Sequence, residues 1–184
     1  MVAVAPLAMT VEEFFRTYGG ETNVELVRGQ VVRYPRAGAR HGFVNLNAGG
    51  IIRDFVRSHK LGRVMSNDTF VRITADTVRG ADVCFLSYAK LPTGVPLPDG
   101  VLEIPPELVV EVKSPSDLWT DLLGKVLDYL RAGVAVVLVL DPKSESASVY
   151  RPGERQDIFE KDETLTLPDV LPGFEVPVAR FFEE

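Results

Sequence analysis

A chain of 184 residues, 46% hydrophobic and 25% charged, is expected to form a single domain over residues 1–184 and to bury a core without disulfides or a structural metal. Its one cysteine, Cys84, excludes an internal disulfide and a multi-cysteine zinc site, and no apolar run approaches the roughly 20 residues of a membrane span. A net charge of −6 weighs against a polyanion partner, but Arg28–Arg79 alone holds ten basic residues against three acids, mostly arginines suited to phosphate.

Residues 1–6 are apolar but short and lack a basic start, so no secretory leader is expected and the cytoplasm is the expected compartment. Thr10 and Glu13 form a capping box that opens a first helix, and Gly19-Gly20 stop it. Val24–Tyr34 reads as two short strands about a glycine turn, and Pro35–Gly38 as a loop. His41–His59 has helical apolar spacing, with Gly49-Gly50 in its middle admitting a close neighbour. Strands are predicted at Gly62–Ser66, Phe70–Thr74 and Ala81–Leu86. Tyr88–Pro106, with five prolines, is an irregular connection placed at an interface or facing a ligand.

Glu107–Lys113 is a strong strand, followed by a helix capped by Ser116 or Asp117 and running to about Ala132. Val134–Leu140 is unbroken in its apolar character, as a central strand covered on both faces would be. Strand, helix, strand predicts a parallel crossover. Ser148–Arg151, Gln156–Glu160 and Thr164–Leu167 suggest a closing antiparallel meander.

Alternation along Leu108–Lys113 puts Val109, Glu111 and Lys113 on one face. Two charges ending an apolar strand are poorly explained by packing, because buried charges need partners. A magnesium ion shared by Glu111 and Asp82 would supply one, since magnesium takes few carboxylates and keeps its waters. One water could then attack a phosphodiester, with Lys113 orienting it or stabilising the transition state. The bland alternative makes Glu111 and Lys113 a surface pair and Asp82 a turn acid.

An Asp, a long gap, an apolar strand ending E-x-K and then a helix resembles the PD-(D/E)xK, or restriction-endonuclease-like, superfamily. Within it the chain is similar to the Uma-two family, whose members are described as bacterial endonucleases. The resemblance runs through Val24–Val31, His41, Gly80–Phe85, Pro106–Asp117, Lys125, Tyr129, Gly133, Leu140–Pro142, Val149–Pro152 and Leu171–Phe174. Ala81 departs from the family's Pro-Asp signature but leaves the acid intact.

The resemblance implies an α/β fold: a restriction-endonuclease-like core with a mixed central sheet flanked by helices, plus an antiparallel meander. It implies a catalytic set of Asp82, Glu111 and Lys113, joined by Glu25 and Lys125, with Asp82 and Glu111 as ligands of magnesium or manganese. Glu25 reads equally well as a cross-strand partner for an arginine. Arg36, Arg40 and His41 are the residues assigned to nucleic-acid contact, although a helix-end histidine is commonly structural. Tyr129 reads as core, and Asp117 and Asp121 as acids favoured at a helix N-terminus.

The expected function is a metal-dependent deoxyribonuclease, acting on DNA as a homodimer or higher homo-oligomer and away from membranes. A catalytically silent nucleic-acid-binding or assembly module on the same fold is the alternative. A hydrolase of small phosphate esters is a third and weaker reading.

Overall fold

The computed structural model describes residues 8–184, so the apolar opening lies outside the described residues. Helix α1 (Val11–Tyr18) starts on the predicted capping box: the Thr10 hydroxyl accepts from the Glu13 N–H, and Glu13 accepts from the Thr10 N–H. Its Phe14 is buried against Val24, Leu26 and Val78. Strands β1 (Val24–Val27) and β2 (Gln30–Arg33) form the expected hairpin. Helix α2 spans Ala39–Ser58, and strands β3 (Gly62–Thr74) and β4 (Thr77–Ser87) follow.

β5 (Leu108–Val112), α3 (Trp119–Arg131) and β6 (Val136–Asp141) make the crossover, and β5 and β6 pair in parallel as predicted. β7 (Ser146–Tyr150) and β8 (Asp157–Phe159) extend the sheet antiparallel. The order is β2-β1-β4-β5-β6-β7-β8, with β3 on the other edge of β4. β6 is therefore interior, and its apolar residues are buried on both faces. The fold is α/β with a mixed sheet between helices.

Alternation decides which helix covers which side chain. Val110, Val112 and Leu138 pack with Val44, Ala48 and Ile52 of α2, whereas Val109, Val137 and Val139 pack with Leu122, Val126 and Tyr129 of α3. No helix among the described residues is long and apolar enough to cross a membrane.

Several local expectations change. The two strands predicted between Gly62 and Thr74 are one strand, with register shifts at Asn67–Asp68 and at Ile73. α3 starts at Trp119 after Leu118, with no side-chain cap; Asp117 instead accepts from the Ser114 N–H at 2.7 Å, closing a turn ahead of the helix. β9 (Thr164–Thr166) leaves the meander and pairs with β10 (Glu175–Pro177). Gly49 and Gly50 admit no close neighbour, for a Cβ would meet only Val83 at 3.7 Å from Gly49 and nothing from Gly50. The proline-rich connection turns back along β3, where the Leu102 N–H donates to Phe70 at 2.7 Å.

Candidate active site

The register of β4 explains where the site lies. Val78 pairs with Leu26 of β1 and Val83 with Val110 of β5, while β3 occupies the opposite edge throughout. β1 and β5 therefore share one edge of β4 and part between Arg79 and Asp82. Backbone groups in that gap lack strand partners and must find others. The Gly80 N–H donates to Glu25 Oε1 at 3.0 Å, and the Gly80 carbonyl accepts from Lys125 Nζ at 3.2 Å. Side chains thus close the fork, and a cleft of about 550 Å³ opens over it.

Asp82 and Glu111 both line this cleft and are almost fully buried. Asp82 Oδ2 accepts from the Val112 N–H at 2.7 Å and faces His41 Nε2 at 3.3 Å. Glu111 Oε1 accepts from the Tyr129 hydroxyl at 2.9 Å, and Oε2 from Lys125 Nζ at 2.7 Å. Burial pushes the Glu111 carboxyl up to about 8; Lys125 pulls it down, while Asp82 adds to the rise. Burial also opposes the His41 imidazolium, yet Asp82 and Glu111 carry its pKa above the usual value.

Asp68 joins the cleft from the bulge of β3, opposite Asp82. Asn67 and Asp68 adopt φ of 68° and 55°, a region Asn and Asp tolerate better than most residues. Burial, then the Asp82 charge, raises the Asp68 carboxyl. Asn45 is one turn beyond His41 on α2 and lines the same cleft, with its Oδ1 buried and unpartnered.

Lys125 fills the fork itself. Its Nζ lies 2.7 Å from Glu111 and 3.1 Å from Glu25, and it donates to the Gly80 carbonyl at 3.2 Å. Burial disfavours its charge, but Glu111, Glu25 and Asp82 overrule that and keep it protonated. Arg79 bridges Glu25 at 2.8 Å and Asp128 at 2.6 Å and donates to the Tyr34 hydroxyl. Burial alone would raise Glu25, yet Lys125 and Arg79 hold it below the ordinary range. Both readings of Glu25 therefore describe it: it partners an arginine and it faces the site.

Lys113 is displaced from its expected place. It follows the end of β5, where its Nζ donates to the Ser114 carbonyl at 3.3 Å and lies 5.6 Å from the Trp119 ring centroid. It does not line the cleft, and Lys125 contacts Glu111 instead. Its backbone still pairs with β6, donating to the Leu140 carbonyl at 2.9 Å, and its side chain reaches α3, the helix over the Glu111 face, but it ends over Trp119 rather than at the acid. Arg36 lines the cleft, but Arg40 turns away to Glu145 at 3.1 Å. His41 is at the cleft, held against an acid.

Tyr34, Asp68, Arg79 and Asp128 were not anticipated. Lys125, Asp128 and Tyr129 sit three and four residues apart on α3, a spacing that could have exposed the cluster. Tyr129 is core, as expected, and also fixes one oxygen of Glu111. Tyr129→Phe is expected to cost about 1 kcal/mol in urea unfolding, the value of one buried hydrogen bond. An unchanged midpoint would show that this bond adds nothing.

A family model described as "Uma2: Putative restriction endonuclease" matches residues 11–179. The chain belongs to the Uma2 family. The match spans every site residue named above, from Glu25 to Tyr129. A solved structure from Anabaena variabilis, described as a "putative nuclease belonging to DUF820", superposes with a TM-score of 0.83 at 19% identity. The alignment covers 95% of this Uma2 chain and 97% of the other, and at that identity it speaks to the fold alone. No curated protein matches the chain significantly.

Proposed function

We propose that this chain is an endonuclease that hydrolyses phosphodiester bonds in DNA with magnesium, manganese serving as a substitute. The observation that carries the reading is the meeting of Asp82, Glu111 and Lys125 at the sheet fork of a Uma2-family chain.

The donor set suits a hard divalent cation. Glu25, Asp82, Glu111 and Asp128 outnumber the cations Arg79 and Lys125 about the fork, and Asp68 adds a further acid at the exposed rim of the cleft. Asp82 Oδ1 has no protein hydrogen bond among the described residues, and Asn45 Oδ1 is unpartnered. Asp82 and Glu111 would hold the ion, which takes one or two carboxylates and fills its remaining positions with water. When bound, it supplies an acidified water and positive charge against the scissile phosphate. Tyr129 and Lys125 fix the two oxygens of Glu111. Because Lys125 Nζ is held between Glu111, Glu25 and the Gly80 carbonyl, that residue acts by charge and by placing Glu111. Cutting both strands takes two such centres, so a symmetric homodimer is the expected assembly.

One observation favours the silent nucleic-acid-binding reading: among the described residues, no group of three His, Cys, Asp or Glu side chains is arranged to hold a metal. Plasmid nicking separates the two. The active reading expects magnesium-dependent nicking by the wild type and a loss of at least about 100-fold in Asp82→Asn. A wild type that retards DNA without cutting it at any magnesium or manganese concentration selects the silent module.

A further inference from the structure

The arginine-rich segment noted in the sequence does not gather at the cleft. Arg53, Arg57, Lys60 and Arg63 line a second groove of about 580 Å³ at the far end of α2, and no acidic residue lines it. Arg63 is held in place, donating to the carbonyls of Leu91 at 3.0 Å, Pro92 at 3.2 Å and Val95 at 2.7 Å. Its guanidinium carbon lies 5.2 Å from the centroid of the Tyr88 ring. These bonds fix one wall of the groove, which also carries Leu97.

The other three cations have little structural employment. Arg57 and Lys60 are exposed and enter no ion pair among the described residues. Arg53 pairs only with its neighbour Asp54, at 3.2 Å. Four cations with one neighbouring carboxylate, Asp54, among them repel one another, even in a chain of net charge −6. A ligand that supplies regularly spaced negative charge relieves this repulsion. Cations beside an aromatic ring and apolar surface suit a nucleic-acid strand, whose phosphates take Arg and Lys while its sugars and bases take the rest.

We propose that this groove is a second nucleic-acid contact, gripping the phosphate backbone of DNA that lies in the cleft. It rests on the nuclease reading and adds where the duplex runs. Helix α2 joins the two places, with Asn45 in the cleft and Arg57 in the groove. Their spacing on the helix is about 18 Å at 1.5 Å per residue, which corresponds to roughly five base pairs at about 3.4 Å each.

The test is fluorescence anisotropy of a labelled 30-base-pair duplex in EDTA across a salt series, with plasmid nicking in magnesium alongside. Comparing wild type with the double variant Arg57→Ala/Lys60→Ala, the slope of log K against log salt should become shallower by about 1.8, or 0.9 for each lost phosphate contact. Affinity at low salt should fall at least about tenfold, and the thermal midpoint should not move, since both side chains are exposed. An unchanged slope and affinity, with nicking retained, overturns the groove while leaving the nuclease reading intact. An unchanged slope with lost self-association also overturns it and gives the groove to an acidic face of a second copy. If the wild type binds DNA but never nicks it, a shallower slope still upholds the groove while the nuclease reading falls. A wild type that binds no DNA in EDTA overturns the groove, and one that also fails to nick in magnesium overturns both.

Discussion

Lys125→Met is expected to remove magnesium-dependent plasmid nicking, whereas Lys113→Met should leave most of it. The two lysines stand in different surroundings. Lys125 Nζ is 2.7 Å from Glu111 and 3.1 Å from Glu25, and its side chain is 17% exposed. Lys113 lies over Trp119 and bonds the Ser114 carbonyl. Removing the Lys125 charge leaves buried Glu111 and the Gly80 carbonyl without their cation and Glu25 with Arg79 alone, a change that costs on the order of 3 kcal/mol. The corresponding loss at Lys113 is a partly exposed cation–π contact worth about 0.5–1 kcal/mol. Thermal unfolding in EDTA should therefore rank the variants as nicking does, and nicking at a temperature where both are folded separates stability from activity. Equal loss of activity in the two variants would return Lys113 to the site, and full activity in Lys125→Met would remove Lys125 from it.

Glu111→Gln should abolish nicking and yet stabilise the metal-free protein at pH 8. The Glu111 carboxyl is pushed up to about 8 in the folded chain, from an ordinary value of 4.5. Between those values the folded state keeps a proton that the unfolded chain has released. Stability due to this group is therefore greatest below pH 4.5 and is lost as pH rises toward 8. The burial of charge responsible disappears in the amide. Glutamine keeps the shape, its carbonyl accepting from Lys125 and its N–H donating to the Tyr129 oxygen. The expected gain at pH 8 in EDTA is on the order of 1–3 kcal/mol, shrinking toward pH 5 as wild-type Glu111 takes up its proton. Urea unfolding at the two pH values measures it. A variant less stable than wild type at pH 8, or a gain that does not change with pH, would show that Lys125 fully offsets the burial of Glu111. The expected gain, shrinking toward pH 5, marks Glu111 as a residue retained for chemistry at a cost in stability.

Local chemistry accounts for what was legible in the residues themselves. Thr10 and Glu13 are close in sequence, so their capping box forms wherever α1 lies. The unbroken apolar run of β6 could only be a strand covered on both faces, and the parallel crossover from β5 followed from chain direction. Glu111 announced itself as a charge inside an apolar strand, and Asp82 as an acid among buried neighbours. The α3 cap was misplaced because Asp117 had two uses open to it, and a turn to Ser114 prevailed over the helix end.

Which lysine serves Glu111 was beyond local reading. Alternation gives the face a side chain leaves from but not where its end comes to rest, and the Lys113 amine rests over Trp119 and the Ser114 carbonyl rather than at Glu111. Lys125 reaches Glu111 from α3 only because the crossover lays that helix over the strand. The basic segment likewise had a sign but no location until α2 carried Arg53 and Arg57 away from the cleft. By itself the sequence determined most of the elements and pointed to the two acids, because short-range patterning and the expense of burying a charge act along the chain. Tertiary structure alone decided the fork of β4 and the company at it, because Glu25, Asp68, Arg79 and Lys125 meet only when strands from distant parts of the chain share one edge.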